Sequence, residues 1–308
     1  MMYWLDVDTG IDDAVALCAA AGLLPDAALL CVSAVAGNVG LAAVAENTRR
    51  VLAAAGRGDV DVYAGADRPL VRPMVDAAYV HGESGLGAVT LPGATRPVAG
   101  GLLDLLERLR ALPDRSLCLV ATGPLTNIAL ICRLAPDVLR RTLARTVWMG
   151  GGRGIGNITV AAEFNAFADP EAAAIALDVL APVTVVDLNT THRAYLTPEE
   201  VAALGRLPGA LGPLAQRILE DPVYGGPHPG HENHHVVVHD AVALLEAVRP
   251  GSMFAVRRER VAVDLSGGPS YGATLVGRKA NGPEADWPEE PDRARFAALL
   301  AEALGSGR

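Results

Sequence analysis

Four aspartates crowd into one turn near the N-terminus. Residues 6–13 read Asp-Val-Asp-Thr-Gly-Ile-Asp-Asp and directly follow an apolar run. Four like charges in one turn need a balancing charge, and oxygen-only groups of this kind suit a hard dication such as Ca²⁺ or Mg²⁺. Asp8 and Asp13 are five residues apart, and Gly10 relaxes the backbone between them, so both can reach one ion. An acidic loop with an Asp-capped helix would explain one or two of these aspartates, not four. The turn is therefore the predicted active site.

Two further polar motifs follow apolar, strand-like runs. Residues 36–40 read Ala-Gly-Asn-Val-Gly, in which Asn38 offers an amide to a polar ligand, although an ordinary turn explains the same residues equally well. Residues 122–127 read Thr-Gly-Pro-Leu-Thr-Asn. Thr122 stands at the end of its predicted strand, where its backbone carbonyl could face a metal.

A third group of polar residues has the chemistry of a sugar site. Glu163, Phe164 and Asn165 are consecutive, and Asn157 lies just upstream. Carboxylate and amide groups around an aromatic ring suit the recognition of vicinal hydroxyls, which need both donors and acceptors. The segment predicts a sugar-binding surface.

Two histidines stand out as candidate pocket residues. His239 and Asp240 follow the apolar run 236–238, and a histidine beside a carboxylate can donate a proton while the aspartate completes a metal shell. An aspartate at a helix start is also commonly a simple cap, so the pair gains weight only beside the Asp turn. His81, within His-Gly-Glu-Ser-Gly-Leu-Gly, is the second candidate.

The His-rich stretch before His239 contains a misleading motif. Residues 231–235 read His-Glu-Asn-His-His and match the zinc-protease pattern, which requires a helix to bring both histidines to one face. Prolines and a glycine precede the motif and a β-branched run follows it, so no stable helix is expected. The sequence predicts instead a mobile, polar lid around residues 221–238.

Apolar runs alternate with helical patterns, as expected for βαβ units on a mainly parallel sheet. The predicted fold is an α/β domain spanning residues 1–308, with an open, mixed sheet flanked by helices. Predicted strands cover residues 3–7, 28–35, 60–64, 117–121, 146–149, 183–187 and 256–264. Predicted helices cover residues 12–23, 41–55, 125–134, 170–180, 240–248 and 292–304. Each candidate motif follows a predicted strand, and ligands of open α/β sheets bind at that edge.

Composition narrows the class of partner. The net charge is −9 and the sequence has no basic run, which argues against nucleic-acid binding, so a small-molecule partner is expected. The four cysteines stand singly in apolar stretches, as in reduced cytoplasmic proteins. No signal peptide or membrane-spanning stretch is evident, so neither secretion nor membrane insertion is predicted.

These motifs, in their order along the chain, resemble those of the inosine-uridine preferring nucleoside hydrolases. The resemblance covers residues 3 to about 250. The resemblance implies an open, mainly parallel sheet, a homodimer or homotetramer, and a bound Ca²⁺. It also implies roles for individual residues. The metal ligands would be Asp8, Asp13, Asp240 and the Thr122 carbonyl. The ribose ligands would be Asp12, Asn38, Met149, Asn157, Glu163 and Asn165. Asp8 would be the general base toward water, and His239, with His81, would line the base subsite and protonate the leaving nucleobase.

The reaction implied is Ca²⁺-dependent hydrolysis of the N-glycosidic bond of ribonucleosides, in nucleoside salvage. The segment 187–192 departs from the family pattern in being longer, and the segment before His239 is unusually rich in histidine and glycine. The preferred base is therefore left open between purine, pyrimidine and modified bases.

Two other functions are compatible with parts of the sequence. A nonenzymatic nucleoside or ribose binder would keep the pocket without turnover. A phosphatase of the haloacid dehalogenase type would also begin with Asp-x-Asp and use Mg²⁺, but it needs a lysine and a late acidic pair. Lys279 is the only lysine of this chain, so the phosphatase is the weaker alternative.

Overall fold

The computed structural model describes residues 1–180, 182–222, 224 and 235–306. Within these residues the chain alternates strands and helices along most of its length. The strands are β1 Met2–Val7, β2 Leu29–Ala34, β3 Val62–Ala64, β4 Gly100–Gly101, β5 Leu117–Ala121, β6 Leu143–Met149, β7 Thr184–Val186, β8 Tyr195–Leu196, β9 Val236–Val237, β10 Val256–Val263, β11 Thr274–Val276 and β12 Glu284–Pro288.

The helices vary from single turns to four turns. They are α1 Ile11–Leu23, α2 Leu41–Ala54, α3 Ala78–His81, α4 Leu102–Arg110, α5 Thr126–Leu134, α6 Pro136–Thr142, α7 Phe164–Ala168, α8 Pro170–Leu180, α9 Leu188–Thr191, α10 Pro198–Leu204, α11 Leu211–Leu219, α12 His239–Val248 and α13 Arg293–Leu304.

The main sheet has the order β11-β10-β12-β7-β6-β5-β1-β2-β3-β4. The strands from β12 to β4 run parallel to one another, whereas β10 runs antiparallel to both β11 and β12. Strands β8 and β9 form a separate antiparallel pair. The predicted open, mainly parallel, mixed sheet is therefore confirmed.

Helices cover both faces of the sheet because the central strands are apolar on both sides. In β1, Leu5 and Val7 belong to the core cluster that includes residues of α1, α11, α12 and α13. Trp4 points to the opposite face and belongs to the cluster that includes residues of α4, α5, α6 and α8. This alternation follows from the two-residue period of a strand. Two packed layers of helix thus fix β1 and the turn that follows it.

The predicted elements match the observed ones with shifts at their ends. Strand β6 begins at Leu143, three residues before the predicted start, and α1 begins at Ile11, inside the Asp turn. Short helices such as α7 and α9 were not predicted, since a helix of four or five residues leaves no periodic pattern. Most of the predicted lid at 221–238 lies outside the described residues, as do residues 231–234 of the zinc-like motif. In the part of the chain that is described, no helix combines the length and apolarity needed to cross a bilayer.

Candidate active site

One cavity of about 320 Å³ lies at the carboxyl ends of the central strands. Every residue to which the sequence assigned a catalytic, substrate-binding or metal-binding role lines this cavity except Asp13, which is buried. Those lining residues are Asp8, Asp12, Asn38, His81, Thr122, Met149, Asn157, Glu163, Phe164, Asn165, His239 and Asp240. The parallel strands explain the convergence, because segments that follow neighbouring strands meet at one edge of the sheet.

Three carboxylates meet where two helices begin. Asp12 and Asp13 lie in the first turn of α1, and Asp240 lies in the first turn of α12. One oxygen from each lies within 4.8 Å of the others, and all three residues are buried. The positive ends of the two helix dipoles favour carboxylates at these positions. Packing of α1 against α12 therefore brings together residues more than 220 positions apart in the sequence.

Hydrogen bonds hold Asp13 and Asp8 in fixed orientations. Asp13 Oδ1 accepts a bond from Thr122 Oγ1 at 2.7 Å, and its Oδ2 accepts one from the Gly10 N–H at 2.9 Å. Asp8 Oδ2 accepts a bond from the Asn38 N–H at 2.9 Å. A Cβ atom at Gly37 would lie 2.1 Å from that same Asp8 oxygen, so only glycine fits beside it. Gly37 therefore has a steric role that its sequence context did not reveal.

Asp6, the first aspartate of the cluster, lies outside the cavity lining. Its Oδ1 accepts hydrogen bonds from Ser33 Oγ and from Asn127 Nδ2, the latter at 2.8 Å. Burial raises the pKa of Asp6 to about 7, against the effect of these donors. Of the four clustered aspartates, Asp6 thus belongs to a buried polar network behind the site.

Burial dominates the electrostatics of the remaining carboxyls. It raises the pKa of Asp12 to about 7, with the Asp13 charge as the next cause. The pKa values of Asp8 and Asp240 lie well above their usual range, because both are buried and face the other carboxylates. No lysine or arginine is among the described residues that line the cavity. The described lining thus offers several buried carboxyls and no lysine or arginine to pair with them.

This donor set fits a hard dication. Buried carboxylates are normally paired or bound to a metal, since an uncompensated buried charge is costly. Asp12 Oδ1 is buried with no hydrogen-bond donor among the described residues. All the ligand atoms offered are oxygens, as Ca²⁺ and Mg²⁺ require. The close trio contains Asp12, which the resemblance assigns to the ribose, and not Asp8.

The residues predicted to bind a sugar, 157 and 163–165, form a shelf of the cavity lining beside the carboxylates. Glu163 caps α7 and accepts hydrogen bonds from the backbone N–H groups of Asn165, Ala166 and Gly151. Asn165 Nδ2 donates to Thr122 O at 2.7 Å and to Met149 O at 3.2 Å. Burial nevertheless raises the pKa of Glu163 to about 7. These bonds orient the shelf and occupy one lone pair of the Thr122 carbonyl, the predicted metal ligand.

The two predicted pocket histidines are held in different ways. His81 Nδ1 accepts a hydrogen bond from the Ile11 N–H at 3.1 Å, so in this geometry the ring carries its proton on Nε2. His239 Nδ1 lies 2.7 Å from Thr191 Oγ1, and its ring centroid lies 5.6 Å from that of His192. Both rings line the cavity, although the two residues lie far apart in the sequence.

Sequence reasoning missed several lining residues. Tyr79, His192, Tyr224 and His235 all line the cavity. Tyr79 sits two residues before His81, and His192 ends the segment 187–192 that the sequence analysis singled out, so both positions carried a signal. Tyr224 and His235 lie within the predicted lid at 221–238, which has no periodic pattern to indicate which side chains face inward.

Comparisons with known proteins define the class of enzyme. The structure matches a plant nucleoside hydrolase with a TM-score of 0.87 and 29% identity, covering 99% of this chain and 98% of that one. It matches a purine-preferring ribonucleoside hydrolase from Gardnerella vaginalis with a TM-score of 0.88 and 25% identity, covering 100% and 99%. The fold is thus that of the nucleoside hydrolases.

The family is shown by sequence. Residues 3–298 match the model of the inosine-uridine preferring nucleoside hydrolases, and the chain belongs to this family. It is 35% identical over 306 residues to the pyrimidine-specific ribonucleoside hydrolase RihA of Enterobacter sp. (strain 638), covering 97% of this chain and 96% of the relative. It is 37% identical over 280 residues to the inosine-uridine preferring nucleoside hydrolase of Leishmania major, covering 88% and 86%.

Family membership makes this chain an enzyme and supports hydrolysis of ribonucleosides as its activity. It decides against both alternatives from the sequence, the nonenzymatic binder and the phosphatase. The lysine that a phosphatase would need is absent from the cavity, since Lys279 lines a different surface depression with Arg153 and Arg278.

Proposed function

We propose that this enzyme hydrolyses the N-glycosidic bond of ribonucleosides to ribose and free nucleobase, with Ca²⁺ as its cofactor. The observation that carries the proposal is one cavity whose lining brings together buried carboxylates, the polar residues Asn157, Glu163 and Asn165, and His239. Cleavage of an N-ribosyl bond passes through an oxocarbenium-like state, which negative charge stabilises. Release of reducing sugar from a panel of ribosides tests the proposal.

The metal would be held by the Asp12, Asp13 and Asp240 carboxylates, with Asp8 and the Thr122 carbonyl beside them. When bound, a dication supplies positive charge that acidifies water and orients it toward the sugar. The oxygen donors and the negative charge that such an ion requires would come from Asp8, Asp12, Asp13 and Asp240. Support comes from the 4.8 Å grouping of three carboxylates and from the burial of each.

Asp8 would be the general base that takes the proton from the attacking water. Its carboxylate lines the cavity, and the Asn38 N–H fixes one of its oxygens. Burial and the Asp13 charge raise the pKa of Asp8 well above its usual range, and a dication bound beside it would lower that pKa and keep the carboxylate ionised to accept a proton.

The ribose would bind against Asn38, Asn157, Glu163 and Asn165, and the Asp12 oxygen that does not face the metal would add to this surface. Hydrogen bonds preorganise Asn157, Glu163 and Asn165, so little ordering of these residues is required when the sugar binds. Phe164 and Met149 would complete this surface with apolar contact to the sugar ring. The nucleobase would then lie toward His81 and His239.

His239 would protonate the leaving nucleobase, which predicts a dependence on the leaving group. We expect His239→Ala to lower kcat for inosine or uridine by roughly 10²-fold or more, since general acid catalysis contributes about that much. Release of p-nitrophenol, a good leaving group, needs little protonation and should be nearly unaffected. Steady-state kinetics on both substrate types would measure this, and equal losses on the two would contradict an acid role.

Metal binding should depend on pH in a defined direction. Burial raises the pKa of Asp12 to about 7, so this carboxyl is largely protonated at lower pH. A metal ion can bind only the ionised carboxylate. Ca²⁺ binding should therefore release protons, and affinity should rise as the pH is raised from about 6 to about 8. Titration calorimetry in buffers of different ionisation enthalpy would measure both effects. Affinity that stayed constant across this range would contradict the raised pKa.

We further propose that the chain is one catalytic domain, that it forms a homodimer or homotetramer, and that it acts in the cytoplasm in nucleoside salvage. The resemblance to the family supports the assembly and the pathway. Its relatives are named for different nucleosides, pyrimidine-specific in one case and inosine-uridine preferring in another. The substrate panel must therefore include purine and pyrimidine ribosides.

A further inference from the structure

Thr191 lies where the segment 187–192 contacts His239, the candidate acid. It is the last residue of the single-turn helix α9, which begins directly after Asp187 at the end of β7. Its side chain is fully buried, and its Oγ1 lies 2.7 Å from His239 Nδ1. This bond links residues 48 positions apart across the site, and the sequence assigned no role to Thr191.

The surroundings of the Thr191 hydroxyl decide the direction of this hydrogen bond. Thr191 Oγ1 has one proton, and Leu188 O lies 3.2 Å away as its acceptor within the same turn. A hydroxyl that donates to this carbonyl offers a lone pair to the ring, and in that arrangement His239 Nδ1 is the donor. The proton on Nδ1 then gives Nε2 as the nitrogen that exchanges a proton with a substrate.

The helix turn that carries Thr191 is fixed at several points. Asp187 caps α9 by accepting from the Thr190 N–H at 3.0 Å and from Thr190 Oγ1 at 2.6 Å. The Thr191 N–H donates to Asp187 O at 3.0 Å, and the Leu188 N–H donates to Gly151 O at 2.9 Å. A hydroxyl held by so many backbone contacts can orient a ring that packs against it.

We propose that Thr191 is a positioning residue for the reaction. It holds the His239 ring with its proton on Nδ1 and thereby presents Nε2 to the leaving nucleobase. This inference rests on the proposed function, in which His239 protonates the base. It adds a fixed tautomer and a named partner to that role, in the same way that a second group orients the histidine of other acid–base pairs.

Kinetics on a matched pair of variants test the positioning. Thr191→Val keeps the shape and removes the hydroxyl, whereas Thr191→Ser keeps the hydroxyl. We expect Thr191→Val to lower kcat for the best natural riboside by roughly tenfold or more, with KM and p-nitrophenol release nearly unchanged. Thr191→Ser should restore most of the activity. Thr142→Val is the control, because Thr142 is buried and donates to Val138 O at 2.7 Å, outside the cavity.

A spectroscopic measurement reads the tautomer without turnover. In ¹⁵N-histidine-labelled protein, the ring nitrogen shifts of His239, assigned by their loss in His239→Gln, should show Nδ1–H in the wild type and in Thr191→Ser. Thr191→Val should lose this preference, whereas Thr142→Val should keep it. An unchanged tautomer and unchanged kinetics in Thr191→Val would overturn the positioning role. Failure of the wild type to hydrolyse any riboside would instead refute the proposed function, and the spectra would still decide the role of Thr191.

Discussion

Asp8→Asn should nearly abolish turnover of every riboside while leaving the fold intact. The substitution keeps the shape of the side chain and an oxygen that accepts from the Asn38 N–H, but it removes the base. We expect kcat to fall by roughly 10²- to 10⁴-fold, the range that a positioned general base contributes. The loss should be the same for p-nitrophenyl riboside as for natural nucleosides, because activation of water is needed whatever group departs.

The control for Asp8→Asn is Asp178→Asn, at an exposed position of α8. Both variants should show the far-ultraviolet circular dichroism of the wild type, and only Asp8→Asn should lose activity. Single-turnover assays at saturating substrate separate loss of chemistry from loss of binding. Activity retained in a correctly folded Asp8→Asn variant would remove Asp8 as the base.

The second large effect is expected for Asp240→Asn, which takes one charge from the three-carboxylate group. Oxygen-ligand sites for Ca²⁺ lose affinity steeply when the count of charged ligands falls. We expect the dissociation constant for Ca²⁺ to rise by roughly 100-fold, and activity at low Ca²⁺ to fall with it. Raising the Ca²⁺ concentration should recover part of the activity, because the remaining carboxylates stay in place.

Glu246→Gln is the matched control on the same helix. Glu246 is buried in α12, both of its oxygens accept from the Gly251 N–H, and burial raises its pKa to about 7. A glutamine there keeps an acceptor for that N–H and leaves the cavity untouched. Calorimetric titration with Ca²⁺ compares the two variants. Equal affinities for Asp240→Asn and Glu246→Gln would show that the three carboxylates do not form the metal site.

Much of the site was predictable because its residues stand directly after strands. Asp8, Asn38 and Thr122 follow β1, β2 and β5, and neighbouring parallel strands leave these residues at one edge of the sheet. Sequence order along the chain therefore translates into position around the cavity. Strand order did not locate His239 and Asp240, which stood out in the sequence only by their residue types. Their place in the cavity depends on the packing of α12 against α1.

The partners of each side chain were not predictable, because they depend on contacts between distant segments. The sequence grouped four aspartates, yet the structure turns Asp6 toward Ser33 and Asn127 and brings Asp12 and Asp13 to Asp240. Thr191 was hidden in a four-residue helix that leaves no periodicity. The partners of these side chains depend on how the loops pack against one another at the edge of the sheet. No local sequence pattern encodes that packing.

The most direct test of the central claim is ribose release with and without chelation of Ca²⁺. The panel is inosine, uridine, adenosine, cytidine and p-nitrophenyl riboside, with the reducing sugar measured after each reaction. We predict that at least one natural riboside is cleaved, that a chelator stops the cleavage, and that added Ca²⁺ restores it. Cleavage that persists in chelated protein with no detectable metal would contradict the proposed metal-dependent hydrolase.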